Sequence, residues 1–195
     1  TWYLNDTSGN GIQSPFSNAS ATFSLAMGYE TTASGYGSTA MGSETIAGAS
    51  YSTAMGRDTT ANGFGSTAMG TTTDASGYMS TAMGSLTIAS GMFSTAMGRG
   101  TTASGMFSTA MGAVTKASDY SSLVMGKYNL AGSTVTTSAT EFSLDNTAFV
   151  IGNGADSENR SDALVVKFNG DATLAGSMTA TSFIGDGSQL TNLPF

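Results

Sequence analysis

The sequence contains no cysteine and no histidine, and only 10% of its 195 residues are charged. Without cysteine the chain forms no disulfide and offers no thiolate to a metal. Without histidine it lacks the commonest general base and metal-binding imidazole. The net charge is −7 and only six residues are basic, which excludes the clustered lysine and arginine of a nucleic-acid-binding protein. These absences favour a structural or binding role over catalysis.

Long hydrophobic runs are also missing. No apolar stretch reaches transmembrane length and no signal peptide is visible, so we expect no membrane insertion by this segment. Thr1 is not a natural start, and we expect the chain to be part of a longer or processed protein.

Catalytic and metal-binding motifs are absent as well. The 13 acidic residues are scattered, mostly in turns, and no nucleophile elbow or phosphate-binding loop occurs. Asp156, Ser157, Glu158, Asn159 and Asp162 could hold Ca²⁺, but their spacing does not follow a known calcium loop, and a solvated turn is the better interpretation. A sugar-cleaving fibre would need paired carboxylates, and no pair stands out. We therefore predict no enzyme, no cofactor and no metal site.

The dominant feature is a strict short repeat in which glycine follows methionine at every fourteenth position. Six copies read Ser-Thr-Ala-Met-Gly without change, from Ser38–Gly42 to Ser108–Gly112. The repeated glycines are Gly28, Gly42, Gly56, Gly70, Gly84, Gly98, Gly112 and Gly126. A strict period of this length is typical of a solenoid in which each repeat forms one coil. The strict register also argues against disorder, which the low charge and the Gly/Ser/Thr content would otherwise suggest.

Each period divides into two equal halves. One half ends in Ala-Met-Gly and the other in Ala-x-Gly, except that Ala49 and Asp119 replace the second glycine in two coils. A helix would lose about 1 kcal/mol for each of these glycines. Short strands joined by tight glycine turns fit better, so we predict an all-β coil with two strands and two turns.

Strand alternation predicts which side chains fill the coil. Thr32 and Ser34 flank Ala33, and because the polar pair should face water, Ala33 should face inward. Packed sheets lie about 10 Å apart, which two alanines cannot fill. We therefore predict Met41 inside, and Ala40 outside on a small-residue stripe that an identical subunit could cover. The reverse facing is the alternative.

The alternation of Ser-x-Ala-x-Gly with x-x-Ala-x-Gly over residues 21–132 resembles the head repeats of YadA-like trimeric autotransporter adhesins. The usual family form is Ser-Val-Ala-Ile-Gly, where this chain has threonine for valine and methionine for isoleucine. The resemblance implies a left-handed parallel β-roll that assembles as a homotrimer. It also implies an extracellular location, on a cell-surface or outer-membrane-attached fibre.

The C-terminal part resembles segments of trimeric surface-fibre and tail-fibre proteins. The resemblance rests on Phe149–Gly154, Arg160–Val166, Asn169–Asp171 and Ser182–Pro194. It implies a smaller β-rich fibre segment after the roll. It also keeps open a virion as the alternative location.

These patterns divide the chain into three parts. Residues 1–20, which include Trp2, are predicted to be an N-terminal cap or connector, since the open end of a solenoid needs cover. Residues 21–132 form the YadA-like β-roll, and residues 133–195 form the β-rich fibre or neck segment.

Within the last part we predict three strands and two tight turns. The strands are Thr134–Ser138, Ala148–Ile151 and Ala163–Phe168. The turns are the Asn-Gly pairs at 153–154 and 169–170, because Asn-Gly suits tight hairpins.

An aromatic residue recurs beside the second half-repeat, in the turn of coil after coil. The candidates for a ligand-facing edge are Tyr36, Tyr51, Phe64, Tyr78, Phe93, Phe107 and Tyr120. Aromatic side chains stack on sugars and pack on proteins, so an exposed row would form a binding surface. The alternative is that these side chains wedge between neighbouring rolls of an oligomer.

A flat row of threonines could instead bind ice, but Asp74 and Lys116 interrupt the row. The function that fits best is a structural and adhesive segment of a trimeric surface fibre. Such a segment would mediate or space attachment to a host, prey or other surface, with a surface glycan or protein receptor as partner. The alternative is a viral tail-fibre or spike segment for receptor binding.

Overall fold

The computed structural model describes residues 3–5, 11–14 and 16–182, and it contains a β-solenoid of about eight coils. Each coil contributes a five-residue strand to one sheet and a two-residue strand to a second sheet. No helix occurs in the described ranges, and therefore none that could cross a membrane. The all-β solenoid predicted from the repeat is confirmed.

The strands are numbered in chain order. Two strands precede the coils, β1 Tyr3–Asn5 and β2 Gly11–Gln13. The two-residue strands of the coils are β3 Asn18–Ala19, β5 Thr32–Ala33, β7 Ile46–Ala47, β9 Thr60–Ala61, β11 Asp74–Ala75, β13 Ile88–Ala89, β15 Thr102–Ala103 and β17 Lys116–Ala117. The five-residue strands are β4 Leu25–Tyr29, β6 Thr39–Ser43, β8 Thr53–Arg57, β10 Thr67–Thr71, β12 Thr81–Ser85, β14 Thr95–Arg99, β16 Thr109–Ala113 and β18 Leu123–Lys127. Three strands follow the coils, β19 Thr147–Asn153, β20 Asp162–Lys167 and β21 Ala172–Leu174.

The long sheet has 13 strands and runs from β1 and β2 through the even-numbered strands β4 to β18 and on to β21. The short sheet contains the eight odd-numbered strands from β3 to β17. Coil strands pair in parallel with no slip, so that Met69 lies between Met55 and Met83. Every position of the repeat therefore forms a straight row along the solenoid.

The alanines, and not the methionines, fill the coil. Ala40 and Ser38 are completely buried, whereas Met41 is half-buried on the outer face of the long sheet. The prediction that Met41 points inward and Ala40 outward is wrong, while the inward facing of Ala33 is confirmed. Only two residues separate β6 from β7, so the interior has room for small side chains alone. The wider spacing used for the prediction belongs to sheets whose large side chains interdigitate.

Serine and threonine hydroxyls share this interior with the alanines. Where the half-repeat glycine is replaced, the buried serine donates to the carbonyl three residues earlier, as Ser52 Oγ does to Ala49 O at 2.7 Å and Ser122 Oγ to Asp119 O at 2.9 Å. Ser66 Oγ, in a coil that keeps the glycine, finds no hydrogen-bond partner in the described part of the chain. The roll therefore holds some buried hydroxyls that are hydrogen-bonded and others that have no partner among the described residues.

The chain after the coils closes the far end of the roll. Strand β19 pairs with β18 in parallel, and β20 and β21 continue the long sheet antiparallel. The strands predicted around residues 148–151 and 163–168 are confirmed as β19 and β20, but residues 134–138 form no strand. Asn169 and Gly170 lie in the tight turn between β20 and β21. Residues 154–161 form a longer connection than the tight turn predicted at 153–154.

Side chains complete the end of the short sheet. Lys116 N donates to Asn129 Oδ1 at 2.8 Å, and Asn129 Nδ2 donates to Lys116 O at 2.9 Å. The buried Asp119 carboxylate accepts from Thr136 N at 2.6 Å, from Thr147 N at 2.8 Å and from the Thr147 hydroxyl. The two bonds between Lys116 and Asn129 satisfy groups that the edge of the short sheet would otherwise leave open. Trp2 and residues 183–194 carried sequence predictions and lie outside the described residues.

Candidate functional site

The structure brings all seven candidate aromatic side chains into one continuous row, which begins one coil earlier than predicted. This row, the aromatic ladder, consists of Phe23, Tyr36, Tyr51, Phe64, Tyr78, Phe93, Phe107 and Tyr120. Neighbouring ring centroids lie 5.1–5.6 Å apart along the whole row. Sequence reasoning missed Phe23, although Phe23 lies one full period before Gly37 and therefore in the equivalent turn of the first coil.

Each turn that carries the ladder has two adjacent residue positions, called here the first and the second place, such as Ser50 and Tyr51. The place that a ring occupies decides its orientation. The second place has positive φ, for example 59° at Tyr51 and 57° at Phe93. Rings at the same place in neighbouring coils are nearly parallel, 7° for Phe64 and Tyr78 and 2° for Phe93 and Phe107. Rings at different places are nearly perpendicular, at 77–85°. A sequence spacing of one full period therefore gives parallel rings, and a spacing one position shorter or longer gives edge-to-face rings.

The ladder forms an exposed and uncharged edge of the roll. Its rings from Phe23 to Phe107 are between 40% and 64% exposed, and Met79 and Met92 among them are 49% and 41% exposed. Neither place of any ladder turn, from Thr22 to Ser121, holds a charged side chain. The opposite edge of the roll carries acidic and basic side chains, among them Glu44 and Arg99. Exposed aromatic and methionine side chains therefore form a continuous apolar surface along this edge.

A second surface, uncharged at two positions of every coil strand, lies on the outer face of the long sheet. The first and third positions of the coil strands point outward there, and they hold only threonine, leucine and methionine. This methionine face is defined by the half-buried Met27, Met41, Met55, Met69, Met83, Met97, Met111 and Met125. Ile151 pairs with Met125 and continues the row onto β19.

The repeat is a known one. The family model described as the YadA head domain repeat, in two copies, matches residues 19–45, 47–73, 61–87, 75–101, 89–115 and 103–128. The chain belongs to the YadA head-repeat family. From residue 47 onward, successive matches in this chain are displaced by one period of the repeat, which is one coil of the solenoid. No curated protein matches the chain. YadA head domains are components of trimeric adhesins.

Two acidic residues that the sequence suggested for a metal site serve a turn and the end cap. Asp156 accepts from Glu158 N at 2.9 Å, from Asn159 N at 2.8 Å and from Asn159 Nδ2 at 3.0 Å. These hydrogen bonds, the one from the Asn159 side chain first, lower the pKa of Asp156. Asp162 instead accepts from Leu130 N at 2.9 Å and so belongs to the end cap. Within the described residues, no group of three or more acidic side chains could hold a metal ion.

The outer face of the short sheet is mixed in character. Ile46 and Ile88 are each 42% exposed, while Asp74 and Lys116 bring charges into the same row. This face offers no uniform surface along the roll, in contrast to the aromatic ladder and the methionine face.

Proposed function

We propose that this chain is a structural and adhesive segment of a homotrimeric surface fibre. The segment either attaches to another surface itself or acts as a spacer that carries the attachment site. The observation that supports this proposal is the run of YadA head repeats matched over residues 19–45 and 47–128, which spans the coils. No catalytic role is proposed, because the repeats build a structural solenoid and the acidic residues considered for a metal site, Asp156 and Asp162, are engaged in a turn and in the end cap.

The methionine face is the surface that we assign to trimer assembly. Its outward first and third strand positions hold only threonine, leucine and methionine in the coils, and its strands pair continuously from β4 to β19. The serine and alanine stripe expected to play this part is buried within each coil and cannot contact another subunit. A coil whose core is alanine buries little apolar area, so covering the methionine face would add the stabilisation that a thin roll lacks.

We further propose that three left-handed rolls surround a common axis, outside the cell, with residues 133–195 leading into the next part of the fibre. Residues 1–20 would then connect to or cap the first coil. The aromatic ladder, which lies at an edge and not on the methionine face, would remain available as the ligand-facing surface.

The mass of the full chain in solution tests the assembly. Light scattering after size-exclusion chromatography should give three times the 19.6-kDa mass of the chain. Met69→Asp combined with Met97→Asp places two charges in the middle of the methionine face and should give a monomer. Thr60→Lys is the matched control, since Lys116 already occupies the same row of the short sheet, and it should leave the trimer intact. A wild-type monomer with a full β-sheet circular dichroism spectrum would refute the trimer.

The adhesive role is tested separately. Beads coated with the full chain should be retained on cultured cell layers under flow, and beads coated with an unrelated acidic protein should wash off. Equal retention of the two kinds of bead would contradict the adhesive role.

A further inference from the structure

We propose that the aromatic ladder binds a neutral glycan chain that lies along the solenoid axis. This inference rests on the proposed function, since it names the class of ligand that the exposed edge would take. It follows from three properties of the ladder: ring spacing, absence of charge and the state of the turn backbone.

The spacing of the rings suits a linear polymer of sugar rings. Rings recur at every coil with centroids 5.1–5.6 Å apart, so a polymer lying along the edge meets a new aromatic side chain at each step. Pyranose rings have an apolar face that stacks on aromatic side chains, and several weak contacts along one chain add up through effective concentration. The Tyr36, Tyr51 and Tyr78 hydroxyls lie among these rings and can exchange hydrogen bonds with sugar hydroxyls.

The charge of the edge selects against ionic ligands. The two places of the ladder turns hold no lysine, arginine, aspartate or glutamate. The chain as a whole carries a net charge of −7, which repels sulfated and carboxylated glycans. A neutral glycan avoids both this repulsion and the cost of burying an unpaired charge.

The backbone of each ladder turn is already engaged through one N–H and one C=O, which disfavours an extended peptide. Tyr51 N donates to Tyr36 O at 2.8 Å, and Phe93 N donates to Tyr78 O at 2.8 Å. The second place of each of these turns is thus bonded to the first place of the coil before it. A peptide strand binds mainly by adding to free backbone groups at a sheet edge. At the ladder half of these groups are occupied, so we expect recognition to come mainly from side chains.

The ladder is also organised before any ligand arrives. Phe64 stacks on Tyr78 at 7°, and Tyr51 meets Phe64 edge-to-face at 77°. Each ring is therefore held by its neighbours, and ordering it costs little entropy on binding.

Calorimetric titration of the full chain with defined hexasaccharides tests the proposal. The neutral probes are cellohexaose, chitohexaose and maltohexaose, and the anionic comparison is a heparin hexasaccharide. The test variant is Tyr51→Ser combined with Tyr78→Ser. Serine already occupies both kinds of place, as Ser50 and Ser121, so the turns should keep their conformation. The matched control is Ile88→Thr, because Ile88 and Tyr78 are both 42% exposed and threonine is common in the row of Ile88.

We expect at least one neutral hexasaccharide to bind and the heparin hexasaccharide to bind more weakly. The double tyrosine variant should lose affinity by about tenfold or more, while Ile88→Thr keeps the wild-type value. Circular dichroism and mass in solution should be the same for all three proteins.

Three results would overturn the inference. The first is a trimeric, cell-retained protein that binds none of the neutral probes, which would leave the adhesive fibre standing without this ligand. The second is binding that the double variant leaves unchanged, which would place the glycan elsewhere. The third is loss of the trimer in the double variant, which would make the ladder a contact between subunits. A monomeric wild-type protein that binds a neutral hexasaccharide through the ladder would support the inference while refuting the proposed trimer.

Discussion

Gly70 faces Gly84 of the next coil so closely that a Cβ atom added to Gly70 would lie 2.0 Å from the Gly84 carbonyl oxygen. The φ of Gly70 is +127°, which L side chains rarely adopt. Equivalent glycines occur along the roll, at Gly42, Gly56 and onward to Gly112. The strict periodic spacing of this glycine therefore reflects the close approach of neighbouring backbones.

Gly70→Ala should strongly destabilise the roll. The added methyl group forces two coils apart and strains the backbone, which we expect to cost more than about 3 kcal/mol in the free energy of unfolding. Gly65→Ala is the matched control, because its Cβ would meet only the Met79 side chain, 3.5 Å from Cγ, and other residues adopt the same φ at this place. The control should cost about 1 kcal/mol. Chemical denaturation measures both, and similar values would contradict the coil-to-coil contact.

Ser66→Ala and Ser52→Ala should change the free energy of unfolding differently, although both serines are completely buried. Ser66→Ala removes a hydroxyl without a partner in the described chain, so the free energy of unfolding should stay the same or rise by up to about 1 kcal/mol. Ser52→Ala removes the bond to Ala49 O at 2.7 Å and should lower it by about 1 kcal/mol. The midpoints of urea unfolding give the comparison. A larger loss for Ser66→Ala would mean that its hydroxyl is satisfied.

Asp119→Asn should loosen the end cap. The carboxylate accepts from Thr136 N through one oxygen and from Thr147 through the other, so an amide nitrogen would face a donor. We expect a loss of about 2 kcal/mol in stability of the cap and faster hydrogen exchange in residues 130–147. Asp145→Asn, on an exposed side chain of the same segment, is the control and should leave exchange unchanged. Equal protection in the two variants would contradict the role given to Asp119.

Asn159→Ala should raise the pKa of Asp156 toward its usual value. The Asn159 side chain is the largest cause of the lowered pKa, and the Asn159 backbone N–H, which alanine retains, also donates to Asp156. A lowered pKa means that the folded turn favours the carboxylate, so this contribution is present at neutral pH and is lost as the pH falls through the lowered pKa. NMR titration of the Asp156 carboxyl carbon in wild type and variant measures the change. An unchanged midpoint would show that the Asn159 side chain is not the cause.

Much of the fold could be read from the repeat itself. The register of Met69 with Met55 and Met83 follows from the strict period, and so does the gathering of Tyr51, Phe64 and Tyr78 at one edge. One failure, besides the facing of Met41, came where the repeat ends. Thr134–Ser138 has the composition of a strand. Its backbone N–H groups donate instead to the side chains of Asp119 and Asn146, so no strand pairing forms. Such contacts join residues far apart in the sequence, and no local pattern reports them.

The sequence by itself determined the period, the number of coils and the aromatic edge, because a strict repeat leaves one register in which equal residues stack. It determined only that Ala40 and Met41 point to opposite sides of their strand. The tertiary structure decided that Ala40 is inside, since short turns bring the two sheets too close for a methionine between them. The same close spacing places the methionines on the outer face, which is the surface that we assign to assembly.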